Sequence, residues 1–310
     1  ALILVFLTIF FFVLQLVPPL VRADGSRPVV LAMRLALGCL GLTLLMGSLN
    51  LAQYSGWWPG ILDRNMLKTV HLLMGLLGWI GCLIFGVGFH VIPMFYLSKP
   101  FPESRARGIL LSGFGSLLAL SLGIILEWNK ELLLLLSLPG LAAVLLFSFT
   151  ILKMLHQRKR KVSDSTLRLW QGGILSLCLA VPLGLAHLIY PGQQWLMLFG
   201  VLFLGGFAVS VSNGMLYKIA PFLVWFHRFS PLVGQIKVPL LKDLLPNRSA
   251  WVQTTFHGSS LMLVCVGIVF ESDSAIRLGA GLWMFSSLLL LINLILVISK
   301  FPKSQESPVV

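Results

Sequence analysis

Long apolar runs separated by short polar or basic breaks set the pattern of this chain. Strict two-residue alternation is absent, so a β-barrel does not fit. A bilayer-crossing helix needs about 20 apolar residues. Nine runs meet that length, at 1–20, 29–50, 66–95, 108–127, 131–153, 169–190, 194–217, 251–270 and 277–299. The runs at 1–20 and 131–153 are rich in Leu and Phe on all faces, and are expected to face lipid more than protein. Ala1–Leu20 lacks a basic leading segment and carries Pro18-Pro19 where a cleavage site would need small residues. It is read as a spanning helix rather than a signal peptide. The pattern predicts an all-α polytopic transmembrane helix bundle, organised as a single integral membrane domain over 1–310.

Composition agrees. Hydrophobic residues make up 57% and charged residues 11%, with a mean hydropathy of +0.95. A soluble chain carries about a quarter charged residues, so the solvent of this one is a lipid bilayer. The net charge of +13 sits in the breaks between apolar runs, which argues against nucleic-acid binding. Alternate breaks carry it unequally: 18 Lys and Arg on one side, Arg158, Lys159, Arg160, Lys161 and Lys303 among them, against Arg64, Lys68, Lys130 and Arg277 on the other. The positive-inside rule then predicts an outer N-terminus and a cytoplasmic C-terminus, in a bacterial inner membrane. Trp57, Trp58, Trp128 and Trp195 fall at predicted outer ends and Trp170, Trp225 and Trp251 at inner ends, as interfacial belts do. The segment Ile219–Phe229 is aromatic and basic and reads as a short interfacial stretch after the seventh span. Cys39, Cys82, Cys178 and Cys265 each lie in an apolar run with no C-x-x-C pair, and read as small buried hydrophobes.

Chemistry concentrates in the histidines. His156 and His227 lie in basic breaks, whereas His71, His90, His187 and His257 lie in or at the ends of spans. Ionisable groups inside a bilayer are costly and mark function, and imidazole is a good iron ligand. His71 and His90 share a span but are 19 residues apart, about 28 Å along a helix, so they cannot share one metal. Depth pairs His71 with His187 at the outer side and His90 with His257 at the inner side. Either pair is a candidate haem bracket. His90 and Met94 stand one turn apart and form a candidate copper site of imidazole and thioether ligands.

The third span reads HLLMGLLGWIGCLIFGVGFHVIPMFYLSKPFPESRAR. It resembles the second transmembrane helix of haem–copper oxidase subunit I. The matching features are an opening histidine (His71), a methionine one turn on (Met74), Gly86, Gly88 and Phe89, a polar residue before Pro93 (His90), then Phe101, Pro102 and Arg105. The resemblance covers about 35 of 310 residues. It implies a b-type haem ligated by His71, with His90 in a structural polar position. A second segment, Gly214–Pro221, is similar to Gly86–Pro93 and hints at a repeated helix unit. In the oxidases a partner histidine opens such a second helix. Gln194–Gly200 has none here, and His187 is the nearest substitute.

The His-Pro-Glu-Val-Tyr-like helix, the His-His pair and the His-x-His helix of the oxidases are absent. Oxygen reduction at a binuclear centre is therefore not expected, nor a complete enzyme. The expected function is a haem-binding, oxidase-like membrane protein for electron transfer, sensing or support of a respiratory complex. Other membrane subunits or a redox partner are its expected company. The alternatives are a copper-handling protein of oxidase assembly, or a cofactor-free accessory subunit of a membrane complex.

Overall fold

The computed structural model describes residues 2–25, 27–60, 62–159 and 163–300. Arg160, Lys161 and Lys303, which entered the charge count, lie outside the described residues. Among the described residues there is no β-strand, and nine helices are long and apolar enough to cross a membrane. The chain is an all-α, polytopic integral membrane protein. Its helices are α1 (Leu2–Arg22), α2 (Pro28–Tyr54), α3 (Arg64–Tyr96), α4 (Glu103–Ile125) and α5 (Lys130–His156). They continue with α6 (Ser165–Ile189), α7 (Gln193–Leu232), α8 (Asn247–Val269) and α9 (Asp273–Ile298).

Polar residues set the helix starts. The Asp63 carboxylate accepts from the amides of Asn65 and Met66 at 2.8 and 3.1 Å and opens α3. Asn129 caps α5 by accepting from the Leu132 amide at 2.9 Å, and Ser272 caps α9 through the Ala275 amide. Such caps satisfy amides that an apolar start would leave orphaned. One break falls later than the hydropathy pattern indicates. Residues 218–224 continue α7 as regular helix and 225–229 as a π-turn, instead of leaving the helix near 217. The reason is local: the charge of Lys218 is paired, so it does not end the helix.

The chain divides into two compact units, 1–161 with 177–195, and 162–176 with 196–310. Each has its own internal geometry, and the two geometries match. In the first unit α3 carries a π-helical stretch, Met74–Gly81, that returns to α-helix eleven residues before Pro93 (93 − 82). In the second, α7 carries Val201–Val209 and returns to α-helix eleven residues before Pro221 (221 − 210). Gly86 lies so near Ala32 of α2 that a Cβ would collide with the Ala32 Cβ, and a Cβ on Gly78 would stand 2.6 Å from the Cys39 sulfur. In the second unit Gly214 meets Leu169 at 3.4 Å and Gly206 meets Ser176 at 2.5 Å. The shift is 137 residues on the first helix of each pair (169 − 32, 176 − 39) and 128 on the second (214 − 86, 206 − 78).

The hairpins that follow repeat as well. Pro102 and Pro246 precede α4 and α8. The Ser116 hydroxyl donates to the Leu136 carbonyl at 2.5 Å, and the Ser260 hydroxyl donates to the Gly279 carbonyl at 2.8 Å. Both α4 and α8 end in Gly-Ile-x-x-Glu. The amides of Trp128 and Ser272 reach back to the carbonyls of Gly123 and Gly267 at 2.9 and 2.8 Å. The repeated helix unit hinted at by Gly214–Pro221 is thus four helices long: α2–α5 and α6–α9.

The first helix, α1, stands apart from this scheme. The side chains of its middle are mostly exposed, as expected for lipid-facing Leu and Phe. Its last turn is held by Arg34 of α2, whose guanidinium donates to the carbonyls of Leu20, Val21 and Ala23 at 3.0, 3.2 and 2.8 Å. Gly25 makes room for that group, since a Cβ there would collide with Arg34 Nη1.

Candidate functional site

The four spanning histidines take up three kinds of environment. His71 follows the first two turns of α3, just before the π-helical stretch. Its Nδ1 lies 2.8 Å from the main-chain carbonyl oxygen of Thr43 on α2. A carbonyl oxygen only accepts, so Nδ1 carries the proton, and in the neutral imidazole Nε2 keeps its lone pair. Metal-ligating histidines show this arrangement, in which a backbone carbonyl fixes the tautomer and the ring orientation. Two glycines shape the surroundings. A Cβ on Gly47 would stand 2.9 Å from His71 Cε1, and Gly75 one turn further on meets Thr43. The small residues hold α2 and α3 close around the imidazole.

His187, near the end of α6, belongs to the same unit. Its Nδ1 lies 3.0 Å from the Gly192 carbonyl and 3.3 Å from the Gly192 amide. The carbonyl contact needs Nδ1 protonated and the amide contact needs it unprotonated, so the tautomer is not fixed as it is at His71. Both histidines predicted for the outer side thus have Nδ1 beside a backbone carbonyl.

The pair predicted for the inner side differs. His90 is exposed on α3, and Met94 one turn on is 50% exposed, so both lie on the open flank of that helix. His257 is buried at 3% exposure and belongs to the second unit. Its Nε2 lies 2.8 Å from the Ser210 hydroxyl, a hydrogen bond whose direction follows the imidazole tautomer. The Trp283 ring stands edge-on to His257 at 5.1 Å between centroids. Trp283 also lines an apolar groove of about 470 Å³ with Gly205, Val264 and Met284. His257 therefore uses the nitrogen that His71 leaves open. Among the described residues, no three His, Cys, Asp or Glu side chains gather into a metal-binding cluster.

Two features of the second unit escape the sequence pattern. One is the ion pair of Asp164, just before α6, with Lys218 of α7, at 2.6 Å. Burial works to raise the Asp164 pKa, but the Lys218 charge and the hydrogen bonds from Lys218, the Thr166 hydroxyl and the Leu167 amide outweigh it and hold the carboxyl below its usual range. The other is a set of buried polar side chains on α7, α8 and α9. Gln253 Nε2 donates to the Ser286 hydroxyl at 3.0 Å, and Asn293 Nδ2 donates to the Tyr217 hydroxyl at 2.9 Å. Asn293 also pairs with Ser249. The spacing Ser249, Gln253, His257 at every fourth residue is the signal the sequence offers.

Two other expectations resolve here. Trp170, expected in an interfacial belt, is 1% exposed and packed where α6 meets Gly214 of α7. Its bulk fills the helix contact, so its ring does not face outward as a belt residue's would. All four cysteines are free, with Cys39 and Cys82 buried, as expected for small hydrophobes.

The chain matches no known family model, no curated relative and no solved structure.

Proposed function

We propose that this integral membrane protein binds one b-type haem in its first unit, with His71 as the iron ligand, and serves electron transfer or sensing without an oxygen-reducing centre. The carrying observation is the Nδ1–H hydrogen bond from His71 to the Thr43 carbonyl, which leaves Nε2 for a metal. His187 is the proposed second axial ligand, because depth pairs it with His71, it belongs to the same unit and it has Nδ1 beside a backbone carbonyl. The glycines at 47 and 75 fit the group, since a side chain at 47 would crowd the imidazole and one at 75 would press on Thr43. A haem held there supplies one-electron transfer. The Thr43 carbonyl would fix the ring orientation of that ligand.

A stoichiometry of one follows from the repeat. In the repeat α6–α9 the residue matching His71 is Phe199 (71 + 128), and that matching Thr43 is Ala180 (43 + 137). The second repeat therefore lacks the histidine–carbonyl pair proposed to hold haem in the first. The proposed placement is a bacterial inner membrane, with the N-terminus outside and a membrane-bound redox partner.

The test is the reduced-minus-oxidised visible spectrum of the purified protein, with a pyridine haemochrome assay on the same sample. One b-type haem per chain, lost in His71→Ala and kept in His90→Ala, is the expected result. A wild-type preparation that stays colourless after haem supply overturns the reading. So does a His71→Ala spectrum equal to the wild type.

A further inference from the structure

The repeat offers an internal control on the buried polar groups of the second unit. Helix glue would be needed equally in both units, because both make the same helix contacts. At three of these positions the first unit makes them with apolar residues, whereas Ser249 and Asn293 correspond to Arg105 and Thr150 (shifts 144 and 143). Gln253 corresponds to Ile109 and His257 to Gly113 (shift 144). Ser286 corresponds to Ala143 (shift 143). Ser210 corresponds to Cys82 and Tyr217 to Phe89 (shift 128). Ile109, Ala143 and Phe89 are all buried, at 5, 2 and 8% exposure. Packing alone does not require the polar set, so the set has another use.

Its geometry indicates which. Ser249, Gln253 and His257 lie on one face of α8 at successive turns, a rise of about 6 Å per step. That step is too long for direct hydrogen bonds and suits one bridging water at each. Gln253 is fully buried, yet its Oε1 accepts no hydrogen bond from the described residues. An unmet buried acceptor is costly, and a water with polar neighbours recovers that cost. Here the Ser286 hydroxyl, bonded to Gln253 Nε2, is one such neighbour. The line begins at Lys218 and Asp164, beside Tyr217. It ends at His257, about 15 Å into α8, against Trp283 and the apolar groove beyond.

We infer that the second unit holds a line of bound water running from the Asp164–Lys218 pair, past Gln253, to His257 midway along α8. Other charged groups on the packed elements lie away from this line. Arg168 bonds Gln171 on α6, and Arg248 sits at the start of α8. Asp273 and Arg277 sit at the far end of α9. The line gives water, and the protons that pass along hydrogen-bonded water, a route between the Lys218 end and His257.

Radiolytic hydroxyl labelling of the full chain in lipid nanodiscs tests this, because buried side chains are labelled only where bound water touches them. Tyr217 and His257 should label several-fold faster than Phe89, the apolar counterpart of Tyr217, and Phe147. Gln253→Ile, which installs the residue of the first unit, should cut labelling of His257 and Trp283 while leaving Tyr217 labelled. Ser286→Ala, which copies the first unit's Ala143, serves if the first variant does not assemble. Labelling of Tyr217 and His257 no faster than Phe89, or an assembled variant without effect on His257, overturns the inference. The result is independent of haem at His71.

Discussion

Glu127 and Glu271 adopt the same left-handed backbone, with φ of 55° and 52°, at the ends of α4 and α8. Each follows Gly-Ile-x-x and sits where a helix termination wants glycine. A side chain in this conformation costs about 1–2 kcal/mol. Glu127→Gly and Glu271→Gly should each stabilise the protein by about 1 kcal/mol. Thermal unfolding in detergent checks this, and a lower midpoint in both variants counts against the strain.

The close helix approaches should be equally sensitive in the two units. Gly86→Ala puts a Cβ against Ala32, and Gly206→Ala puts one against Ser176. Overpacking of this kind costs about 1–3 kcal/mol. Both variants should lower the unfolding midpoint, whereas Gly108→Ala, with open space around it, should not.

Acid should act on the second unit through Asp164. Its carboxyl is held below the usual range in the folded protein, so its contribution is full above the ordinary carboxylate pKa and is lost as pH falls through the folded value. The wild-type midpoint should therefore drop on acidification below that ordinary range. Asp164→Asn should flatten this part of the profile and destabilise the protein at neutral pH. The pair is mostly but not fully buried, so the loss should be about 1–3 kcal/mol, between exposed and buried pairs. A neutral-pH midpoint unchanged in Asp164→Asn would remove the pair from the stability account.

Gly47 bears on the proposed haem site through the His71 ring. Gly47→Val should push the His71 ring off the Thr43 carbonyl. The expected outcome is a shifted haem spectrum and weaker haem retention, with helix content unchanged by circular dichroism. A spectrum identical to wild type would place the haem elsewhere.

The spans are legible in the sequence because a bilayer imposes length and apolarity directly on it. His71 is legible because an ionisable group stands out in such a run. The π-helical stretches are not, since MGLLGWIG and VLFLGGFAV carry apolar glycine-rich patterns that suit α-helix as well. Lys218 misleads because a lone lysine signals a helix end, and its partner Asp164 lies 54 residues away. The polar line stays hidden for a related reason. Ser, Gln and Asn are each unremarkable in a span, and only the match to Ile109, Ala143 and Phe89 sets them apart.

Arg34 links the making of the protein to its form. A guanidinium within α2 is an unwelcome passenger for a segment entering lipid alone. Its hydrogen-bond acceptors are the carbonyls that end α1. The two helices are therefore best delivered to the membrane together, as one hairpin, with the first sheltering the charge of the second. In that light the carbonyls that end α1 act as a cap for a charge carried by α2.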